Sequence, residues 1–122
     1  MLIDTHVHLD SFPDNEIAAI LDRSQQVGVG LVICAGTTVA SSVRSVDLSR
    51  KFRSFFSGVG VHPMDIATPL VSKDYQTLTG LAEREEKVIV MSEIGLDYME
   101  GMPDRAWQFT AFREQINIAR NL

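Results

Sequence analysis

Two histidines one residue apart, in Asp4-Thr5-His6-Val7-His8, close a short apolar run at the start of the chain. If Met1 to Val7 is extended, side-chain alternation sets His6 and His8 on one face with α-carbons about 6.6 Å apart. Imidazoles at that spacing can close on one ion of zinc, nickel, copper or iron through neutral ring nitrogen. The same spacing also occurs in half-exposed strands that bind nothing, so the pair needs a third group. Glu93, in Ser92-Glu93-Ile94-Gly95-Leu96-Asp97, is the candidate. A hydrolytic metal site requires ligands that fix the ion, an open position for water, and often a carboxylate that bridges two ions or relays a proton. His6, His8 and Glu93 are of the right types for the first and third of these. Taken alone, Glu93 reads equally well as a solvated acid. His62, ahead of Pro63, reads as either a proton shuttle or a structural histidine.

The elements that must position these residues follow from hydrophobic periodicity. Leu9 to Pro13 reads as a loop, and Asp14-Asn15-Glu16 as a helix start with a capping residue and acids suited to the helix dipole. Ile17, Ile20, Leu21, Ser24 and Val27 recur at helical spacing until Gly28-Val29-Gly30 ends the helix. Leu31 to Ala35 is a continuous apolar run, which suits a parallel strand buried on both faces. Gly36-Thr37-Thr38 leads into a helix over Val39 to Arg50 with Thr38 as its cap. Phe55 to Val61 is a third strand that delivers His62-Pro63. A helix over Ser72 to Glu86 follows, opened by Ser72 and Asp74, and then a fourth strand, Val88 to Met91, runs into Ser92-Glu93. The last helix begins near Pro103-Asp104 and carries Phe109, Phe112, Ile116 and Ala119 on its predicted buried face.

Strict strand–helix alternation predicts a parallel sheet with right-handed crossovers. In such sheets functional groups gather at the carboxyl ends of the strands. His6 and His8, Thr37 and Thr38, His62, and Glu93 with Asp97 all fall at those ends, so four strands deliver their polar residues to one edge.

With 45% hydrophobic residues in 122, the chain has the makings of one domain, residues 1–122, with a sizeable core. No apolar run is long enough to cross a bilayer, and the start lacks the pattern of a signal peptide, so a cytoplasmic protein with no membrane partner is expected. Cys34 is the single cysteine and reads as a small buried apolar residue. A net charge of -5 repels a polyanion, so any nucleic-acid chemistry has to come from a local site. The one basic cluster, Arg50, Lys51 and Arg53, falls on the opposite edge, where it complements a helix C-terminus. On the histidine edge Asp10, Asp14, Asp65, Asp97, Glu100 and Asp104 face only Lys73 and Arg105. That edge attracts cations.

Three stretches in this order, Asp4-Thr5-His6-Val7-His8-Leu9-Asp10, Gly58-Val59-Gly60-Val61-His62-Pro63 and Ser92-Glu93-Ile94-Gly95-Leu96-Asp97-Tyr98, resemble the TatD-type deoxyribonucleases. These are metal-dependent hydrolases related to the amidohydrolases. Gln108, Phe112, Gln115 and Ala119 resemble the same family's following helix, so the resemblance covers essentially the whole chain. It implies an α/β fold of the (β/α)8 TIM-barrel type, here the first four β/α units, a half barrel with a parallel sheet. It also implies one or two divalent ions (Mg, Zn or Mn) and hydrolysis of phosphodiester bonds in DNA, single-stranded or at 3′ ends, in the manner of a 3′-5′ exonuclease. Carried over, His6 and His8 are metal ligands and Glu93 is a bridging ligand with a catalytic role. His62 is catalytic and lies beside the scissile phosphate, and Asp97 contacts substrate. Such an ion lowers the pKa of its water toward about 7 and neutralises phosphate oxygens.

A complete barrel of this kind takes about 250 residues. The family's further histidines and catalytic aspartate belong to strands five to eight and match no residue here. The chain is therefore expected to be a fragment of a longer protein, or to self-associate through its open half-barrel sheet, with little nuclease activity as 122 residues. Two other functions fit the same residues. One is an amidohydrolase or phosphoesterase acting on a small molecule, and the other is a truncated, non-catalytic, self-associating module.

Overall fold

Alternation along the sequence becomes alternation in space. The computed structural model describes residues 1–122, in the order β1 (Leu2–Val7), α1 (Asp14–Gln26), β2 (Val29–Ala35), α2 (Val39–Lys51), β3 (Phe55–Val59), a 3-10 turn at Pro63–Asp65, α3 (Ser72–Arg84), β4 (Val88–Met91) and α4 (Arg105–Arg120). The strands form one sheet in the order β1-β2-β3-β4, every neighbouring pair parallel. All carboxyl ends therefore lie on one edge.

Apolar burial fastens the helices to one face of this sheet. Val32 and Cys34 of β2 and Phe55 of β3 pack with Ile17 and Leu21 of α1 and Leu48 of α2, while Val59, Val61 and Ile66 pack with Val46, Leu78 and Ala111. Fully burying a side chain of this size contributes roughly 1.5–3 kcal/mol. Leu31, Ile33 and Phe56, which alternate with the buried strand residues, are only half-buried. Between the two clusters α2 presents hydroxyls rather than hydrocarbon. Ser42, Ser45 and Ser49 are buried at helical spacing. Ser42 Oγ accepts the Gly60 N–H at 3.0 Å and donates to the Gly60 carbonyl at 3.2 Å. Ser45 Oγ lies 3.2 Å from the Cys34 carbonyl and 3.0 Å from Ser57 Oγ. Small side chains let α2 approach the sheet closely, and their oxygens satisfy the polar groups that this approach buries.

Several boundaries differ from the sequence reading. β2 begins at Val29, so Gly28 alone, with φ 92°, reverses the chain after α1. Asp14 does not cap α1. Its carboxylate pairs with Arg44 and Lys51 of α2, and those two hydrogen-bonded cations hold it below the usual carboxylate range. The Arg50-Lys51-Arg53 stretch lies where expected, and Arg50 is paired with Asp47 and Glu85. The carbonyls at the end of α2 are answered by a residue from another element: Lys87 donates to Ser49 and Phe52 at 2.7 and 2.8 Å.

The larger correction concerns α4. Its buried face is Gln108, Ala111 and Gln115, all at 0% exposure, whereas Phe109 is 54% exposed and Ala119 lies outside the core. The amides displace the aromatic because backbone at the end of β3 needs partners. Gln115 Oε1 accepts the Val61 N–H at 2.7 Å, and Gln115 Nε2 donates to the Val61 and Ala111 carbonyls at 3.3 and 3.2 Å. Replacing this side chain by Leu leaves both Val61 groups unanswered in the interior. Gln115→Leu is expected to lower stability by about 2–4 kcal/mol in urea unfolding. Gly80→Ala, on α3 with open space beside its α-carbon, is expected to raise stability by about 1 kcal/mol in the same measurement.

Candidate metal centre and active site

β1 and β4 are the outer strands of the sheet, yet their carboxyl ends bring three ligand-type atoms together. His6 Nε2 lies 2.6 Å and His8 Nε2 3.2 Å from Glu93 Oε1, and the two imidazole nitrogens are 3.2 Å apart. The rings stand edge to face, 78° apart. His8 is held from behind: its Nδ1 lies 3.1 Å from the Ala35 carbonyl. A carbonyl only accepts, so Nδ1 carries the proton and Nε2 keeps its lone pair toward Glu93. Tetrahedral coordination at about 2.0–2.2 Å places ligand atoms about 3.3 Å apart. Two edges of the observed triangle match, and a small side-chain rotation opens the third. The donor set therefore fits a single cation with positions left open. The histidine side chains are 58% and 47% exposed against 15% for Glu93, so the open side faces solvent.

Glu93 reaches this position through an unusual backbone. It is the one non-glycine residue with positive φ, 58°, a left-handed conformation that costs a carboxylate residue of order 1–3 kcal/mol. The turn is pressed directly against β3. Ser92 N–H donates to the Val59 carbonyl at 3.0 Å. A Cβ built on Gly60 would stand 2.1 Å from the Ser92 carbonyl oxygen, and one on Gly58 2.3 Å from Ser92 Oγ. Both glycines of the Gly58-Val59-Gly60 stretch are therefore required by the turn that carries Glu93. Ser92 Oγ is buried with no hydrogen-bond partner.

His62 stands beside the cluster, Nε2 3.8 Å from Glu93 Oε2. Its Nδ1 accepts the Met64 N–H at 3.1 Å, so in the neutral ring Nε2 bears the proton and points a donor at the site. Its own N–H is anchored on the Thr37 carbonyl at 2.8 Å. Asp97 has a local task, since its Oδ1 accepts the Met99 N–H at 3.0 Å, and it is not one of the three clustered ligands. Gln108, which holds the loop after Glu93, and Gln115, which holds Val61, stand at i and i+7 on the face of α4 that also carries Ala111. Apolar periodicity passes over them; the resemblance of this helix to the family's names both but not what they bind.

The sequence pattern of the TatD related DNases matches residues 3–122. The chain belongs to this family. It is 27% identical, over 100% of its length and 48% of the relative's, to the metal-dependent hydrolase YabD of Bacillus subtilis. It is 30% identical to the 3'-5' ssDNA/RNA exonuclease TatD of Cronobacter turicensis, over 89% of this chain and 41% of that one. The crystal structure of YjjV, a TatD homologue from Escherichia coli, superposes with a TM-score of 0.87 at 30% identity, covering 98% of this chain and 47% of YjjV. The chain thus spans about half the length of the curated relatives it matches. Its four parallel strand–helix units are those of the TIM-barrel architecture of the TatD proteins. A divalent metal accords with the relatives' naming as metal-dependent hydrolases and with the His6–His8–Glu93 donor set.

If the glycine contact sets the Glu93 turn, Gly60→Ala must push Ser92 and Glu93 away from β3. Loss of roughly 1–3 kcal/mol of stability is expected, together with a zinc affinity at least tenfold weaker by competition with a chromogenic chelator.

Proposed function

We propose that this chain carries the metal-binding part of a hydrolase that cleaves phosphodiester bonds in single-stranded DNA from the 3′ end. The convergence of His6, His8 and Glu93 is the observation that carries the reading, and the name of the Cronobacter relative supports the substrate class. Two imidazoles and a carboxylate favour zinc over magnesium, which prefers oxygen ligands. When bound, such an ion supplies Lewis acidity and an activated water.

The chain's own residues supply the rest. His6 and His8 would hold the ion from the exposed side. Glu93 turns Oε1 toward the imidazoles, where it would complete the donor set for an ion, and Oε2 toward His62. His62, its Nδ1 held by Met64, presents an Nε2–H that can donate to a phosphate oxygen or pass a proton to a leaving oxygen. Asp97 retains its second carboxylate oxygen for a substrate contact.

The exposed apolar residues of the outer strands, Leu2 and Ile3 on β1 and Ile89 and Val90 on β4, support self-association along the sheet edges, to be read by light scattering.

The function is tested with zinc- or manganese-loaded protein on a 5′-labelled single strand, beside a small phosphodiester and an amide. For the chain extended by the further strands its relatives carry, stepwise shortening from the 3′ end is expected, abolished by chelation and reduced at least 100-fold by Glu93→Gln or His6→Ala, whereas the 122 residues alone are expected to hold the metal with little cleavage. Turnover of the small esters or amides by the extended chain with the DNA left intact would point instead to a small-molecule hydrolase. Stoichiometric metal binding by the extended chain with no turnover of any substrate would point to a non-catalytic module.

A further inference from the structure

The loop that follows Glu93 carries an aromatic ring with a cation against it. We propose that Tyr98, backed by Arg105, is a stacking platform for one base of a single strand whose phosphate is engaged at His6, His8 and Glu93. This rests on the function proposed above and assigns a contact that the metal centre does not provide.

The guanidinium carbon of Arg105 lies 4.6 Å from the centre of the Tyr98 ring, and Tyr98 remains 48% exposed. A ring so placed offers flat area to a base, and the cation beside it strengthens stacking and attracts phosphate. Arg105 stands on the acidic edge without an ion pair. Of the carboxylates around it, Asp104 accepts the Ala106 and Trp107 N–H groups at the start of α4, Asp97 accepts from Met99, and neither these nor Glu100 pairs with Arg105. The pair is also held in place. Gln108 accepts the Asp97 N–H and donates to the Asp97 and Pro103 carbonyls, each at 2.8 Å, so the residue before Tyr98 and the residue two before Arg105 are tied to one amide. Four residues lie between Glu93 and Tyr98, so their α-carbons are at most about 18 Å apart. A few nucleotides cover that distance.

The test uses zinc-loaded protein and oligothymidylate with cleavage-resistant phosphorothioate linkages, followed by fluorescence anisotropy. A 5-iododeoxyuridine scan of the same strand is photocrosslinked and mapped by mass spectrometry. The expected adduct is on Tyr98, at one strand position. Tyr98→Ala is expected to weaken binding about tenfold, Tyr98→Trp to retain it, and Tyr98→Leu, apolar without a π-face, to fail to restore it. An abasic site at the crosslinked position should erase the difference between wild type and Tyr98→Ala. Should Tyr98→Ala bind like wild type, or the adduct map elsewhere, while Glu93→Gln still abolishes cleavage of an ordinary strand by the extended chain, the platform is wrong and the hydrolase reading stands. Failure of wild-type protein to bind any strand overturns both.

Discussion

Glu93 can stand opposite the histidines only because no side chain stands beside Gly58 and Gly60. The turn at Ser92-Glu93 leaves β4 and leans over β3 so closely that a single methyl group at either glycine would collide with it. That contact fixes the direction in which the carboxylate leaves the backbone. Left-handed φ at a residue with a Cβ is unfavourable by itself, and persists where surrounding contacts over-determine it. Here the Ser92 N–H bond to Val59 and the glycine floor beneath provide them. Strain at this residue and emptiness at its neighbours are two sides of one arrangement.

A second constraint follows from the first. Beyond Val59 the β3 ladder ends, yet Gly60 and Val61 must stay extended to bring His62 to the site, and buried peptide groups without partners are costly. Side chains take the place of a neighbouring strand. Ser42 serves both polar groups of Gly60, Gln115 both of Val61, and Gln108 both of Asp97. Each residue imitates a peptide, offering one donor and one acceptor to the same partner. Such fully satisfied buried networks stiffen the structure around them. His62 and the loop after Glu93 thus inherit their positions from α2 and α4 rather than from the sheet.

Much of this was legible in the residues, for physical reasons that also mark where legibility stopped. The strands at Leu31–Ala35 and Val88–Met91 announce themselves as unbroken apolar runs, although burial on both faces, the expected reason, is not met: Leu31 and Ile33 are half-buried and Ile89 and Val90 exposed, while Thr38 caps α2 as its hydroxyl and position suggest. The His6–His8 pair follows from alternation alone. What failed was the face of α4. Periodicity weighs hydrocarbon and puts Phe109 and Ala119 on the buried face, whereas the demand for hydrogen bonds at the end of β3 puts Gln108 and Gln115 there. The serine stripe of α2 is silent for the same reason. Asp14 reads as a cap from its place before the helix, and only the fold brings Arg44 and Lys51 to its carboxylate.

The crossing after β4 is the step that no spacing in the sequence supplies. In a flat sheet the first and fourth strands lie about 14 Å apart, three strand spacings. His6 and Glu93 nevertheless meet at 2.6 Å. Part of the gap is covered by the two long side chains themselves, and part by the turn after β4 that leans over β3, where the glycines leave room for it. Register irregularities in the β1–β2 and β3–β4 pairings lie in the strands that lead to the ligands. A Glu93 that continued straight along β4 would stand further from the imidazoles by about one strand spacing. It is the turn that makes the three residues a donor set.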